Sequence, residues 1–280
     1  MKLVVKEDSM LLEYLYKNLD ISKKKIKAYL AHKQVFVNNV ITTKYDYVVK
    51  KDMIIKIDTK SYKSGELPFD ILYEDNYIIV VNKPGGLLTI STNKEKEKTL
   101  YHYVSNYLKS KNKNSKVFIV HRLDRDTSGI VLLAKDEKTK NIFQRDWNSI
   151  VKIRGYYALV HGNLEKKKAK LVNRLLETKT NLVYITNKNE GKEAITNYEV
   201  IKQNKKYSLL KIFIETGRKN QIRVQLASIN HPIVGDIKYG IKDGEKKLLL
   251  VANKLKLYNP IIKKNMSFDV DVKEIFNKYM

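Results

Sequence analysis

The chain has 280 residues, of which 43% are hydrophobic and 30% charged, and it contains no cysteine. That length and apolar content allow one large domain or two smaller ones with ordinary cores, and the lack of cysteine excludes a disulfide framework and a thiolate zinc site. With 55 Lys and Arg against 30 Asp and Glu, the net charge is +25, which points to a polyanionic partner and to nucleic acid before others.

Met1 to Asp8 lack the apolar core and cleavage site of a signal peptide. No apolar run approaches the ~18 residues that a membrane-spanning helix needs. A soluble, cytoplasmic protein without membrane contact is expected.

Residues 9–57 form a compact pattern. Ser9 can cap a helix carrying Leu11, Leu12, Leu15 and Leu19 near helical spacing, and Ser22 can cap a second with Ile26, Ala28, Tyr29 and Leu30. The period then changes. Val35-Phe36-Val37, Asn38-Asn39 and Val40-Ile41 predict a short hairpin, and Asp46 to Ile57 a further strand pair. The cap, basic helix, Val-Phe-Val-Asn succession and closing Lys51 to Ile57 resemble the S-four-like RNA-binding domain. That resemblance implies phosphate contacts from Lys23, Lys24, Lys25, Lys27 and Lys33. A plain solvated basic face is the competing reading.

Residues 61–68 have turn composition and read as a linker between a module at 1–60 and a larger domain at 69–280. In the larger domain, strands are expected at Ile71–Tyr73, Ile78–Val81, Val117–Val120, Ile130–Ala134, Tyr156–Val160, Ile195–Ile201 and Leu209–Ile214. Helices are expected at Thr99–Leu108, Lys138–Trp147 and Gln221–Ile229, with strands returning near the C-terminus. The fold class is α+β with a mixed, mostly antiparallel sheet.

Only seven of the 55 basic residues are arginine. Where lysine supplies generic charge, an arginine marks a place that needs the planar guanidinium fork. Five of the seven fall within 121–129, 152–160 and 216–225. Asp124 lies in a turn between two apolar strands, flanked by Arg122 and Arg125, whose charges would lower its pKa and keep it ionised. On the local sequence alone, Asp124 and Asp126 serve equally well as loop residues that satisfy backbone amides. The five histidines are scattered, and no phosphate-binding strand–Gly-x-x-x-x-Gly-Lys loop occurs.

Four segments occur in order: Val80-Val81-Asn82-Lys83-Pro84-Gly85-Gly86-Leu87, His121 to Gly129, Arg154-Gly155-Tyr156-Tyr157-Ala158-Leu159-Val160, and Thr216 to Val224 followed by His231 to Asp236 and Tyr239-Gly240. Together they resemble the RluA/RluD-type pseudouridine synthases. The resemblance implies cleavage of a uridine N-glycosidic bond, rotation of the uracil and rejoining through carbon 5, with no cofactor and no metal. It implies that Asp124 is the essential aspartate, acting on the ribose as nucleophile or base. It further implies that Tyr156 packs on the base and takes a part in proton transfer, that Arg223 pairs with the aspartate, and that Arg122 fills the gap left by a flipped nucleotide. Asn220 and Gln225 stand where many relatives carry His, and Ile90-Ser91 where many carry His-Pro. The expected partner is RNA, the substrate of a monomeric enzyme, with ribosomal RNA of the large subunit before transfer RNA. A non-catalytic assembly factor and a glycosidic-bond hydrolase are the competing functions.

Overall fold

The computed structural model describes residues 1–31, 35–38, 40–57, 67–93 and 95–280. The chain divides into two compact units, 1–66 and 67–280.

The first unit runs β1 (Lys2–Val4), β2 (Ser9–Met10), α1 (Leu11–Asn18), α2 (Lys23–Ala31), β3 (Val35–Val37), β4 (Val40–Ile41), β5 (Val48–Val49) and β6 (Ile54–Ile57). Its main sheet has the order β1-β6-β3-β4. Leu11, Leu15, Ile26, Leu30, Val35 and Ile55 are its buried centre. In α2, Ile26, Tyr29 and Leu30 recur at the three- and four-residue spacing of one helical face. Lys23, Lys24, Lys25 and Lys27 therefore fall on the exposed side.

Ser22 accepts a bond from the Lys25 amide at 3.3 Å, as a cap should. Ser9 does not cap α1: it lies in β2, and Met10 is the capping position without a side-chain bond. Nor do Val48-Val49 and Ile54–Ile57 pair with each other. The first pairs with β2 and the second with β1 and β3, because each strand buries alternate residues against a different partner. Lys33 and linker positions 61–66 lie outside the described residues.

The second unit runs β7 (Ile71–Glu74), β8 (Ile78–Lys83), α3 (Leu100–Lys111), β9 (Phe118–Ile119), β10 (Ser128–Ala134), α4 (Glu137–Arg145), α5 (Trp147–Ile150) and β11 (Val151–His161). It continues with β12 (Lys168–Glu177), β13 (Val183–Thr186), β14 (Lys192–Gln203), β15 (Tyr207–Ile214), α6 (Gln221–Ser228), β16 (Leu250–Asn259), β17 (Lys264–Asp269) and α7 (Lys273–Asn277). The sheet order is β13-β12-β14-β15-β11-β16-β10-β8-β7, with β17 beside β16 and β9 beside β10. Among the described strand pairs of this sheet, β10–β16 alone is parallel. The fold is thus α+β with a mostly antiparallel sheet. No described helix is long and apolar enough to cross a membrane.

The apolar runs of β8 and β10 are unbroken because both faces of the sheet are covered there. Ile78, Val80, Ile130 and Leu132 pack with Phe143 of α4 on one face. Ile79, Val81, Val131 and Leu133 pack with Leu100, Val104 and Leu108 of α3 on the other. In β11, Ala158 and Val160 meet Ile222 and Leu226 of α6, while Leu159 shares a cluster with Phe276 of α7. Two features escaped the sequence reading. The β12–β13 hairpin alternates mostly half-buried residues with exposed ones, with Leu175 and Val183 buried, and α7 follows the expected C-terminal strands.

Candidate active site

Asp124 stands in the loop between β9 and β10. The residue on each side of it is pinned. The buried Thr89 hydroxyl donates to the Leu123 carbonyl at 2.8 Å and accepts from the Leu123 amide at 3.3 Å. The Arg125 carbonyl accepts from Lys83 Nζ and from the Gly86 amide, each at 3.0 Å. Downstream, Gly129 has φ +114°, and a methyl there would stand 2.1 Å from the Ala252 carbonyl oxygen. Only glycine lets β10 approach β16 at this point, so the loop leaves the sheet from a fixed place.

Lys83 has no exposed surface. Its ammonium donates to the carbonyls of Pro84, Leu87 and Arg125 at 2.8–3.0 Å. One cation therefore ties the Pro84–Leu87 turn to the aspartate loop. Burial lowers its pKa to about 8, against the pull of Asp126 and Asp124.

A cleft of about 450 Å3 opens beside the loop, lined by Arg122, Asp124, Arg154, Tyr156, Arg218 and Arg223 among others. Four of the seven arginines of the chain face it, as their scarcity had implied. Among the described residues Asp124 is the one carboxylate in its lining. The expectation that flanking arginines hold this carboxyl below its ordinary value is corrected by the structure. Withdrawal from water dominates and raises the pKa, opposed by Arg223, Arg122, Lys83 and the Asn220 amide. Of the two flanking arginines, Arg122 is exposed at the cleft and Arg125 turns away, its Nε donating to the Gly86 carbonyl at 3.2 Å.

Arg223 also differs from expectation. It acts on Asp124 through charge, but its fork is committed to Asp236, with Nε and Nη2 each 2.7 Å from a carboxylate oxygen. Its Nη1 donates to the Asn220 side chain at 3.1 Å, and its guanidinium lies 5.2 Å from the Tyr239 ring centre. Asp236 also accepts the Lys238 and Tyr239 amides, so this buried pair is fully bonded and can serve as a rigid mount. Asn220, the capping residue of α6, sits at φ 53° and turns its amide toward Asp124. A helix N-terminus favours the ionised carboxylate there. Gln225 takes no part in the cleft. It is wholly buried and bonds Thr196, Asn173 and the Leu171 and Ala194 carbonyls.

Tyr156 rises from β11 into the cleft between the clusters on either side. Burial pushes its phenol up to about 12, with Asp124 adding to the shift and Arg154 opposing it. The hydroxyl thus holds its proton at neutral pH and can donate but not act as a ready base. His121 is held neutral, its pKa lowered to about 4 by burial and by Arg154. Its Nε2 is 3.0 Å from the Leu132 amide and so accepts, leaving the proton on Nδ1. Its ring lies on Trp147, with centres 4.7 Å apart. Lys83, His121, Trp147, Arg154, Asn220 and Asp236 are site residues whose roles emerge only from the structure. Trp147 is the one tryptophan of the chain, which was the available signal for it.

Residues 77–228 match the family described as RNA pseudouridylate synthase. An uncharacterised RNA pseudouridine synthase of Mycoplasma genitalium is 32% identical over 273 residues, covering 92% of this chain and 87% of the relative. The ribosomal large subunit pseudouridine synthase C of Buchnera aphidicola is 36% identical over 220 residues, covering 74% of this chain and 68% of the relative. In fold, the chain is similar to the solved human RNA Pseudouridylate Synthase Domain Containing 4, with TM-score 0.61 and 21% identity over 74% of this chain and 90% of that one. The chain belongs to the RNA pseudouridylate synthase family. It is an RNA-modifying enzyme that converts uridine to pseudouridine.

Proposed function

We propose that the enzyme isomerises uridines of large-subunit ribosomal RNA after flipping the target nucleotide into the cleft, with the Asp124 carboxylate acting on the ribose. The observation that carries the reading is the sole described carboxylate of an arginine-lined cleft, its neighbours pinned on both sides. A base inside an RNA stem must be unstacked before its glycosidic bond can be reached. Arg122, planar and exposed at the rim, suits the vacated place in the stack, where lysine serves poorly. Tyr156 supplies an aromatic floor for the uracil. Arg223 steadies the ionised aspartate through its charge while Asp236 fixes its aim. The glycosidic carbon exchanges its bond to nitrogen 1 for one to carbon 5; the proton of carbon 5 leaves to water and nitrogen 1 takes up a proton from water, so the product is an isomer of the substrate.

The ribosomal target follows the name of the Buchnera relative; transfer RNA is the other substrate to test. The basic face of α2, with Lys23, Lys24, Lys25 and Lys27, would hold RNA phosphates as an S-four-like module does. The reading takes the enzyme as a cytoplasmic monomer, which sedimentation of the pure protein and cell fractionation check. Asp124→Asn should keep RNA binding and lower tritium release from uracil carbon 5 by about 10^3-fold or more, at least the middle of the range of about 10^2–10^4 for a single acid–base group. Normal turnover by this variant would remove Asp124 from the chemistry. Pseudouridine mapping in a strain lacking the gene names the RNA.

A further inference from the structure

A second cleft, of about 360 Å3, adjoins the first and shares Trp147, Asn148, Arg154 and Ile214 with it. Beyond that common wall it is bounded chiefly by Lys152, Phe213 and Glu215. Both volumes fall in the range of about 300–1,000 Å3 that small ligands occupy. The second cleft has a clear origin in the sheet. Strand β11 shifts register against β16 between Val151 and Ile153 and again between Gly155 and Tyr157. Such irregularities re-aim side chains beside active sites, and Arg154 sits between the two. Gly155 follows it at a close approach of the two strands, where a methyl would stand 3.0 Å from the Lys254 Cβ.

The lining suits a nucleotide. Phe213 is partly exposed, and Lys211 places its ammonium 5.4 Å from the ring centre. Trp147, backed by His121, faces both clefts. The Arg154 guanidinium is held by the Glu215 carbonyl. It is crowded against Gly217, where a methyl would stand 2.9 Å from Nη1, so it is fixed where the two clefts meet. The Glu215 carboxylate is matched by Lys170 at 2.9 Å and by Asn197, which lessens its repulsion of a phosphate.

We infer that the second cleft seats the base of a nucleotide next to the target uridine, stacked against Trp147 and Phe213, with the linking phosphate at Arg154. Aromatic platforms beside fixed cations are the usual means of holding unpaired nucleotides. The shared wall makes the two clefts one track for a single strand. The inference rests on the first cleft being the uridine site.

The test uses the full-length enzyme and an RNA stem-loop carrying the mapped uridine, tritiated at carbon 5, with an abasic residue placed in turn on either side. One abasic neighbour should lower kcat/KM about tenfold, or about 1.4 kcal/mol, and Phe213→Ala should do the same, mainly through KM. The two losses should not add when combined. Fluorescence of the one tryptophan should be quenched by the intact stem-loop and less by the abasic one. Additive losses, or no loss at either neighbour, overturn the subsite while leaving the uridine site standing. No tritium release by the native enzyme overturns both.

Discussion

The arginine-lined cleft and the first unit both present cations, and they do so in opposite ways. The cleft uses arginines that are tied down: Arg223 by its fork to Asp236, Arg154 by one nitrogen to the Glu215 carbonyl and Arg218 by Nε to the Glu193 carbonyl. Helix α2 presents Lys23, Lys24, Lys25 and Lys27 on flexible stems in water. Fixed guanidinium groups in a sheltered cleft act at a defined atom and are little screened. Solvated ammonium groups act over a surface and fade with salt. The contrast is between charge held at a fixed point and charge spread over a surface.

Breaking the buried pair tests the first half of this contrast. Arg223→Met leaves Asp236 buried and charged without its fork, and should cost about 3–5 kcal/mol in denaturant unfolding as well as nearly all activity. Arg223→Lys, which keeps the charge and loses the fork, should recover little of either if geometry is what matters. Retained activity in the lysine variant would mean that charge alone suffices.

A smaller effect is expected at Lys83. Replacing it with Met leaves the Pro84 and Leu87 carbonyls unpaired and the Arg125 carbonyl with only the Gly86 amide, and should cost about 2 kcal/mol, with kcat falling as the aspartate loop loosens. The pH dependence has a definite sign. The folded-state pKa of about 8 lies below the ordinary 10.5, so the unfolded chain binds the proton more tightly between those values. This group's contribution to stability therefore rises with pH from about 8 to 10.5. Melting curves across that window should rise less in Lys83→Met than in the native enzyme.

The smallest change per residue is expected on α2. Replacing Lys23, Lys24, Lys25 and Lys27 with Ala should raise KM and lessen the slope of log affinity against log salt by up to about 0.7–0.9 per lost phosphate contact. The rate constant kcat should move little. An unchanged salt slope would show that this face does not hold RNA.

Much of this arrangement is legible in the chain itself, and the reasons are local. The runs of β8 and β10 are apolar because both faces are covered, and a turn between such strands is a natural mount for Asp124. Arginine is rare enough that Arg122, Arg154, Arg218 and Arg223 mark the cleft before any fold is known. The rest depends on distant pairings that no local pattern carries. Lys83 is one lysine among many until three carbonyls close around it. The committed partner of Arg223 is Asp236, in the following loop, and the direction of the Asp124 pKa turns on burial, which charge counting misses. The β12–β13 hairpin escaped because its strands bury too little to imprint a clear alternation.

Strand β16 has a consequence for how the enzyme comes into being. It lies between β10 and β11 in the sheet, although those strands are separated in the chain only by α4 and α5. The gap between Asp124 and Tyr156 is therefore filled by residues 250–259, which leave the ribosome after every other part of the cleft. Until then β10 and β11 lack the strand that joins them, and long-range pairings of this kind close slowly. A nascent chain therefore presents the helices of its first unit long before the sheet around its cleft is complete.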